Sequence, residues 1–430
     1  MVATAAETVP HLTTALSGPL NIIESTILDY QARIESWFRS EWRKTPVPLY
    51  ASVDLRNAGY KIAPIDTNLF PGGFNNLNPA FEPLCIQAVQ SALERLDRPV
   101  DRVVIVPENH TRNEPYLENL AVLQRMFEKA GFETRIGSLI PGLEKEMLIE
   151  LDSGSRIRLE PLRRRDSGLY INDFRPDLLV LNNDLSSGIP DFLQEADQLV
   201  IPPVNLGWSD RSKTVHFNFY RDVAQEFAAL LDIDPWFIDP MFRNCGEVDF
   251  MKRAGESCLS RNVESLLKAI QKKYDEYGVS HEPFAMIKAD SGTYGMGVMS
   301  VNSPEAVHDL NRKQRTKMAT IKEGQKVTKA IIQEGVYTNE TWGSPGTVAE
   351  PVVYLIDQNV VGGFYRVHPQ RATNENLNSP GMYFERLAFD ECCISPDKEQ
   401  SPDAHPNRFY TYGVIARLAL LAAARETKSL

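Results

Sequence analysis

Cysteine is scarce in this chain, and long apolar runs and a surplus of positive charge are missing. Only five of the 430 residues are cysteine, and no two of them stand in a CxxC spacing. An odd number of scattered cysteines is typical of free thiols in a reducing compartment and argues against a disulfide framework. No stretch of about 18 or more apolar residues occurs, so the sequence predicts no membrane span. The first residues show no basic segment followed by an apolar one, so we expect no secretory signal and a cytoplasmic location.

The charge balance excludes a further class of protein. The chain has 46 basic and 57 acidic residues and a formal net charge of −11. Because a nucleic-acid-binding surface is usually basic, nucleic acid is not an expected partner. Hydrophobic residues make up 43% of the chain, which is enough for a substantial core, and the length suits two or three domains.

Short apolar runs alternate with helical patterns in the first half of the chain. The runs Arg102–Val106, Leu178–Leu181 and Leu199–Ile201 are typical of buried strands, and the segments Pro83–Leu96 and Tyr116–Ala130 are helical in pattern. This alternation predicts an α/β domain with a mostly parallel sheet. Ligands of such sheets bind outside the carboxyl ends of the strands, and here polar loops follow those ends.

A glycine-rich segment in the second half is the first candidate for a ligand site. The predicted strand Phe284–Ile287 ends at Lys288, and Gly292, Gly295 and Gly297 follow within nine residues. Glycines let backbone N–H groups approach phosphates closely, and a lysine beside them can place its ammonium on the same group. No GK[ST] follows, so this is not a Walker A loop, and no helix follows, so it is not a dinucleotide fingerprint. A hairpin turn with incidental glycines is the alternative.

Two further segments follow in an order that suits nucleotide chemistry. The apolar strand Ala330–Gln333 ends in Gln-Glu-Gly, where backbone groups can bind an adenine edge, although a solvated strand end is the simpler explanation. Arg366 lies on the predicted strand Val360–Val367 and can stabilise charge in phosphoryl transfer. The segment Asn374–Asn378 offers hard oxygen ligands suited to Mg²⁺, unless it is a polar loop that uses asparagine for turns.

The order of these segments resembles the ATP-grasp superfamily, in which two α+β lobes hold ATP. A narrower resemblance is to the ATP-grasp-type glutamate–cysteine ligases of proteobacteria, and it rests on three long segments: YASVDLRNAGYKIAPIDTNLFPGGFNNL, MIKADSGTYGMGVMSV and FYRVHPQRATNENLNSPGM. The resemblance implies that ATP, L-glutamate and L-cysteine give γ-glutamylcysteine, ADP and phosphate through a γ-glutamyl phosphate, with Mg²⁺ as cofactor. It also implies an α/β fold with three parts: a helical segment over 1–45, a mostly parallel α/β substrate-binding domain (pre-ATP-grasp-like) over 46–207, and a two-lobed ATP-grasp α+β domain over 208–430.

The same resemblance gives each candidate residue a role. Lys288 and Arg366 are the predicted catalytic residues, and Arg56 and Arg112 rank first as clamps for a glutamate carboxylate because arginine binds carboxylates in a bidentate manner. Asp357 is a further possible metal ligand, and the Glu-x-Asn metal motif common in ATP-grasp enzymes has its only counterpart in TNENLNSPG. The predicted residues are, for ATP, Lys288, Ser291, Gly292, Thr293, Tyr294, Gly295, Met296, Gly297, Gln333, Glu334, Gly335 and Val336; for the amino acids, Asp54, Arg56, Lys61, Asp66, Asn68, Glu108, His110, Arg112 and Asn113; and for metal, Glu350, Asn374, Glu375, Asn376 and Asn378.

Two other functions stay open at this stage. The chain can be an ATP-grasp ligase for a different pair of amino acids, or a nucleotide- or amino-acid-binding protein without catalysis. Lys288, Arg366 and the Asn/Glu cluster favour an enzyme, because a protein that only binds has less need of phosphoryl-transfer groups. The sequence does not indicate an oligomeric state.

Overall fold

The computed structural model describes residues 10–11, 14–16, 19–292, 297–320, 326–343, 346–387, 389–392 and 408–429. It has a mixed α/β fold with several sheets, as the sequence predicts. The α-helices of these residues are α1 (Ile22–Asp29), α2 (Gln31–Lys44), α3 (Glu82–Glu94), α4 (Glu114–Lys129), α5 (Asp191–Gln194), α6 (Lys213–Leu231), α7 (Glu256–Tyr277), α8 (Glu305–His308), α9 (Arg312–Ala319) and α10 (Phe409–Lys428).

The strands form three larger sheets and two small pairs. They are β1 (Pro10–His11), β2 (Tyr50–Asn57), β3 (Ile62–Asn68), β4 (Arg102–Pro107), β5 (Glu133–Ser138), β6 (Met147–Glu150), β7 (Arg156–Pro161), β8 (Arg163–Arg165), β9 (Gly168–Tyr170), β10 (Leu178–Asn182), β11 (Leu199–Ile201), β12 (Phe242–Cys245), β13 (Ala285–Ala289), β14 (Val298–Val301), β15 (Ala330–Glu334), β16 (Thr341–Trp342), β17 (Thr347–Ile356), β18 (Asn359–Val367), β19 (Tyr383–Arg386) and β20 (Phe389–Cys392).

The first sheet has the order β11-β10-β4-β5-β7-β6 and is parallel except for β6. Its central strands β4 and β10 are short, apolar and buried on both faces, which is the pattern of a parallel sheet covered by helices. Helices α3 and α4 pack together on one side, and α4 contacts β5. The prediction of a mostly parallel α/β unit in this part of the chain is therefore confirmed.

The second sheet joins distant parts of the chain in the order β19-β18-β17-β2-β3. Strand β2 pairs antiparallel with β17, so that Asp54 lies opposite Val352. Helix α10 packs on one face of this sheet, and helix α6 packs in turn on α10; buried side chains of the sheet such as Val53, Leu355 and Val367 belong to the same apolar core. The predicted domain division between residues 207 and 208 stays a prediction, but this strand pairing crosses it.

The third sheet is antiparallel, with the order β12-β15-β13-β14. Helix α7 packs against β12 and β15 with the buried residues Leu259, Val263, Leu266 and Ile270, which recur at helical spacing. The predicted strand–loop–strand arrangement around the glycine-rich segment is the hairpin of β13 and β14. A cleft lies between this sheet and the face of the second sheet that is turned away from α10, a face that helix α3 covers in part.

Local boundaries differ from the sequence prediction in two places. Apolar residues at helical spacing over Leu20–Trp42 predict a helix, but the structure has two helices separated at Tyr30, and the first begins with a capping box made by Asn21 and Glu24. The run Val47–Val53 has the pattern of a strand, but the strand begins at Tyr50 and extends to Asn57, because its length is set by its partners β3 and β17. Among the described residues, none of the helices combines the length and apolar character needed to cross a bilayer.

Candidate functional site

A cavity between the second and third sheets gathers residues from each of the three long segments on which the family resemblance rests, and from the end of β15. This first cavity encloses about 640 Å³, a volume that includes space open to solvent. Its residues come from β2, β3 and β13, from the end of β15, and from β17, β18 and the loop after β18. They are Asp54, Arg56, Ile65, Asp66, Lys213, Met286, Lys288, Ala289, Gly292, Val298, Gln333, Glu334, Val336, Glu350, Arg366, Asn376 and Asn378.

Lys288 lies near the end of β13 and bridges the two sheets. Its Nζ donates to the carbonyl oxygen of Ile65 and to Oε1 of Gln333, each at 2.7 Å. Ile65 is the extra residue of a β-bulge, since Asp54 pairs with Asp66 and Leu55 pairs with Pro64, and the bulge leaves its carbonyl free for the lysine. Burial lowers the pKa of Lys288 to about 8, although the nearby Asp66 opposes that shift.

Two buried donors in the first cavity have no hydrogen-bond partner among the described residues. They are Nε of Arg366 and Nε2 of Gln333. A buried unsatisfied N–H costs free energy, so such groups usually mark a place where a water, an ion or a ligand binds. Two unsatisfied donors beside a lysine ammonium fit an anionic ligand.

Besides Glu334, three carboxylates line this cavity, and each lies close to a cation. Nη1 of Arg366 donates to Asp54 at 2.8 Å and to Glu350 at 2.6 Å. Burial raises the pKa of Asp54, and Arg366 only partly offsets that effect. Burial also opposes ionisation of Glu350 and Asp66, but neighbouring cations prevail and lower the pKa of both: Arg56 and Arg366 act on Glu350, and Lys213 and Lys288 act on Asp66.

Lys213 is a cation of the site that the sequence analysis missed. It begins helix α6, is only 5% exposed, and its Nζ donates to Asp66 at 2.6 Å. Asp290, the residue after β13, holds this helix end by accepting from the hydroxyls of Ser212 and Thr214 and from the backbone N–H of Thr214. A lysine at the start of an ordinary helix carries no glycine or spacing signal, and for this reason it was not detected.

The end of β15 is more enclosed than the sequence suggested. Both carboxylate oxygens of Glu334 are occupied, one by Nζ of Lys61 at 2.7 Å and the other by Nε1 of Trp236 at 2.9 Å. Gly335 donates its N–H to the carbonyl of Phe284 and does not line the cavity; a Cβ there would lie 2.2 Å from the Phe284 ring. Lys61 was predicted to bind an amino acid. It is instead the fully buried ion-pair partner of Glu334 and does not line the first cavity.

Arg56 lines the first cavity, but its guanidinium is largely engaged by protein groups. It donates to Glu350, to the carbonyls of Val336 and Thr373, and to the carbonyl of Glu375. These four contacts use four of the five N–H groups of an arginine. The expected bidentate clamp on a glutamate carboxylate is therefore not available in this arrangement, and Arg56 instead ties the loop after β18 to the sheet.

A second cavity adjoins the first and shares Asp54, Asp66, Arg366 and Asn378 with it. It lies between the second sheet and the loops that follow the parallel strands β4 and β10, the place that the fold rule for parallel sheets predicts. Its residues are Ser52, Asp54, Asp66, Asn68, Phe70, Gly72, Gly73, Asn75, Asn76, Asn113, Pro115, Tyr116, Asp184, Val352, Tyr354, Phe364, Arg366, Asn378, Met382 and Phe384.

Alternation along the strands explains how the two cavities are built. Ser52, Asp54, Asp66 and Arg366 sit at even-numbered positions of β2, β3 and β18, whereas the odd-numbered positions of β2, such as Val53, are buried under the helices. Side chains of a strand alternate between its faces, so one face of the second sheet is the floor of the site. The alternation of polar and apolar residues in SVDLRN is the sequence signal from which this face of the sheet could have been identified.

The predicted amino-acid ligands from the loop after β4 divide into two groups. Asn113 lines the second cavity, as does Asn68 of β3, whereas Glu108, His110 and Arg112 line neither cavity. The Glu108 carboxylate accepts the backbone N–H of Asp184 and so joins two loops. His110 packs edge-on against the ring of Tyr116, and Arg112 is exposed.

The predicted metal ligands also divide. Glu350, Asn376 and Asn378 line the first cavity, while Asn374 and Glu375 do not, because Asn374 bonds to Tyr337 and the Glu375 carboxylate accepts from Arg371 and from the N–H of Ala372. Asp357 lies at the β17–β18 turn with φ of +51° and pairs with Arg95. Within the described ranges, no group of three or more His, Cys, Asp or Glu side chains has the arrangement of a metal site.

The glycine-rich loop is described only at its two ends. Gly292 has a φ of +96° and lines the first cavity. Gly297 has a φ of +61°, and its carbonyl accepts the N–H of Ala289 across the hairpin, while Ser291 lies beside the cavity residues without lining it. The predicted ATP ligands Thr293, Tyr294, Gly295 and Met296 lie outside the described residues.

Comparison with protein families decides the group to which the chain belongs. The family model of glutamate-cysteine ligase (GshA) matches residues 24–427. The chain belongs to the glutamate-cysteine ligase family. No match was found among curated proteins.

A solved structure from Methylobacillus flagellatus KT is similar to this chain over nearly its whole length. It is described as a "Putative gamma-glutamylcysteine synthetase", has 55% sequence identity and a TM-score of 0.86, and the match covers 99% of this chain and 100% of that one.

Two other solved structures are only weakly similar. A glutathione synthetase-like effector from Globodera pallida has 8% identity and a TM-score of 0.36 over 85% of this chain and 79% of its own. D-alanyl-alanine synthetase A from Vibrio cholerae has 11% identity and a TM-score of 0.33 over 73% and 79%. Similarity at this level carries no argument about fold or function.

Proposed function

We propose that the protein is a glutamate–cysteine ligase that uses ATP and forms γ-glutamylcysteine through a γ-glutamyl phosphate. The observation that carries this proposal is the first cavity, where Lys288, Gln333, Arg366 and Asn376, from three segments distant in sequence, line one space together with Asp54 of the N-terminal hairpin. Membership of the glutamate-cysteine ligase family supports the choice of substrates.

The position of the cavity supports an ATP-grasp arrangement. It lies between two antiparallel sheets, and each sheet supplies polar side chains to it: Lys288 and Gln333 from the third sheet, and Asp54, Glu350 and Arg366 from the second. In the proposal these sheets are the two lobes that hold the nucleotide. The unsatisfied Nε2 of Gln333 and Nε of Arg366 are the donors that an anionic phosphate chain would satisfy.

The residues present also fit a magnesium ion. Glu350, Asn376 and Asn378 line the cavity with carboxylate and amide oxygens, the hard ligands that Mg²⁺ prefers beside phosphate oxygens and water. Bound Mg²⁺ would supply charge neutralisation and orientation of the phosphates. Arg56 and Arg366 would keep Glu350 in its ionised form, because they lower the pKa of Glu350 despite its burial.

The proposed reaction has two steps, and each is balanced. A γ-carboxylate oxygen of glutamate forms a bond to the γ-phosphorus of ATP, and the bond from that phosphorus to the β–γ bridging oxygen breaks to release ADP. The amine nitrogen of cysteine then bonds to the carbonyl carbon of the γ-glutamyl phosphate, phosphate leaves with the electrons of the broken C–O bond, and the ammonium group of cysteine gives up two protons in total. Arg366 lines both cavities, and in the proposal it stabilises negative charge at the point where the substrates meet.

A direct assay tests the proposed function. The purified protein with ATP, Mg²⁺ and glutamate should release ADP at a rate that rises strongly on addition of cysteine, and mass spectrometry should detect γ-glutamylcysteine. Omission of either amino acid is the control, and other amino-acid pairs test the alternative ligase. ATP binding without ADP release for any pair would contradict the proposal and favour a protein that binds without catalysis.

A further inference from the structure

The second cavity differs from the first in its charge. Its lining contains three acidic residues, Asp54, Asp66 and Asp184, and one basic residue, Arg366, so its formal balance is 1 − 3 = −2. The lining of the first cavity contains four acidic and four basic residues, so its balance is zero. A negatively charged pocket favours a ligand that presents a cation and disfavours one with a surplus of carboxylates.

Three aromatic residues, Tyr354, Phe364 and Phe384, together with Met382, form an apolar side of the second cavity, which we call the aromatic wall, and Phe384 is the cross-strand partner of Arg366. The ring centroids of Phe364 and Phe384 are 4.7 Å apart, and those of Tyr354 and Phe364 are 5.3 Å apart. Phe364 and Tyr354 are almost fully buried, whereas Phe384 is 38% exposed at the mouth. Sulfur groups contact aromatic rings favourably, so this wall suits a small thiol side chain.

The acidic residues and the aromatic wall of the second cavity differ in their relation to the first cavity. Asp54 and Asp66 are cross-strand partners on the floor and line both cavities, whereas none of the four wall residues lines the first cavity. A small amino acid in the second cavity can therefore place its ammonium group at the junction while its side chain points away from the nucleotide site.

We propose that the second cavity binds L-cysteine, with its thiol against the aromatic wall and its ammonium group toward Asp54 and Asp66. This inference rests on the proposed function and adds to it the place of the amine substrate. The arrangement brings the nucleophilic nitrogen to the junction where the first cavity delivers the activated carboxyl group.

Glutamate fits the same cavity less well. It carries two carboxylates, and Arg366 is the single cation in the lining. Nη1 of that arginine already serves Asp54 and Glu350. The five asparagines of the lining, which are neutral donors and acceptors, suit the one carboxylate of a zwitterion such as cysteine.

Adjacent residues of β19 provide a matched pair of variants. Phe384→Ala removes one ring of the aromatic wall, whereas Tyr383→Ala removes an equally exposed ring from the neighbouring position, which does not line the cavity. We expect Phe384→Ala to raise the KM for cysteine about 3- to 10-fold, the range for loss of a sulfur–aromatic contact, and to leave the KM values for glutamate and ATP within about twofold. Tyr383→Ala should leave all three unchanged.

Calorimetric titration of L-cysteine into the protein, with and without glutamate and a non-hydrolysable ATP analogue, tests the placement without turnover. Cysteine binding that is weaker in Phe384→Ala but unchanged in Tyr383→Ala supports the proposal. If the wild-type protein forms no γ-glutamylcysteine, that separate result refutes the proposed function but not the placement of cysteine. An unchanged cysteine affinity in Phe384→Ala, a selective loss of glutamate affinity, or no cysteine binding to the wild-type protein under either condition would overturn it.

Discussion

At the scale of single residues, the site depends on a lysine that is almost entirely buried. Lys288 is 8% exposed and lies against a bulge carbonyl and an amide oxygen, and within the described part of the chain no carboxylate is hydrogen-bonded to its ammonium. In this setting an incoming phosphate group gains a strong ionic partner, because low local dielectric strengthens the interaction.

Lys288→Ala should therefore lower kcat at least ~10²-fold, the order observed when one preorganised charge-stabilising group is removed. Product formation at saturating ATP, glutamate and cysteine is the measurement. Lys268→Ala, which removes an exposed lysine from helix α7, is the control and should retain full activity. Near-normal turnover of the Lys288 variant with intact folding would refute the phosphate-binding role.

The lowered pKa of Lys288 also predicts a pH dependence. Because burial lowers this pKa to about 8, the ammonium charge is present below that pH and is lost above it. The KM for ATP should rise about tenfold between pH 7 and 9, since only about a tenth of the lysine stays protonated at pH 9. Lys288→Arg keeps its charge over this range and should flatten the profile. The same rise in that variant would assign the dependence to another group.

The limits of sequence reasoning are also visible in individual residues. Lys288, Gln333 and Arg366 could be predicted as residues of one site, because each stands at the end of a strand or near glycines in the sequence. The fold brings all three to the first cavity, and their roles there stay predictions. Lys61 and Arg56 were predicted as ligand-binding residues, but Glu334 is 273 positions from Lys61 and Glu350 is 294 positions from Arg56. A sequence shows which charges exist, whereas only the fold shows which charges neutralise each other.

At the scale of elements, the start of helix α6 couples two parts of the site. Asp290 follows strand β13 and accepts three hydrogen bonds from Ser212 and Thr214, so the glycine-rich hairpin and the helix that carries Lys213 are fixed to each other. A carboxylate at a helix N-terminus also interacts favourably with the helix dipole.

Loss of this cap should affect both stability and ATP use. Asp290→Ala should lower the free energy of unfolding by about 1 kcal/mol, as for other N-terminal caps. It should also lower kcat/KM for ATP at least about tenfold, because small misplacements of binding groups are costly. Urea unfolding and steady-state kinetics measure the two effects.

Asn311→Ala is the matched control for that experiment. Asn311 closes a capping box at the start of helix α9, which contributes no residue to either cavity. The variant should lose similar stability and keep wild-type kinetics. If both variants show normal kinetics, Asp290 is a structural cap only.

Elements with strong apolar patterns were predictable, and edge elements were not. The strands β4, β10 and β11 followed from their apolar runs, although β11 is only half-buried, and the helices α3 and α4 followed from their helical patterns. The strands Met147–Glu150 and Arg163–Arg165 are mostly exposed and charged or irregular, so neither alternation nor burial marks them in the sequence. Their existence depends on hydrogen bonding to a neighbouring strand.

At the scale of the whole molecule, the second sheet unites the two ends of the chain. Strand β2 lies between β3 and β17, and helix α10 packs against both N-terminal strands. The predicted division between 46–207 and 208–430 follows the order of residues along the chain. It therefore assigns the paired strands β2 and β17 to separate domains. Pairing partners nearly 300 residues apart carry no local signal.

The fragment 208–430 should therefore fail to fold alone. It lacks β2 and β3, and strand β17 would present an unpaired edge together with apolar side chains such as Val353 and Leu355. Circular dichroism should show no cooperative thermal transition for this fragment, whereas co-expression with 1–207 should restore one. A cooperative transition of the isolated fragment would support the linear domain division.

The β2–β17 pairing also has a consequence for how the protein is made. During synthesis Asp54 leaves the ribosome roughly 300 residues before its strand partner Val352. At about 5–20 residues per second, the β2–β3 hairpin waits roughly 15–60 s for its neighbour. Throughout that interval the hairpin lacks its native partner strand, so we expect chaperones to bind the nascent chain until strand β17 has been synthesised.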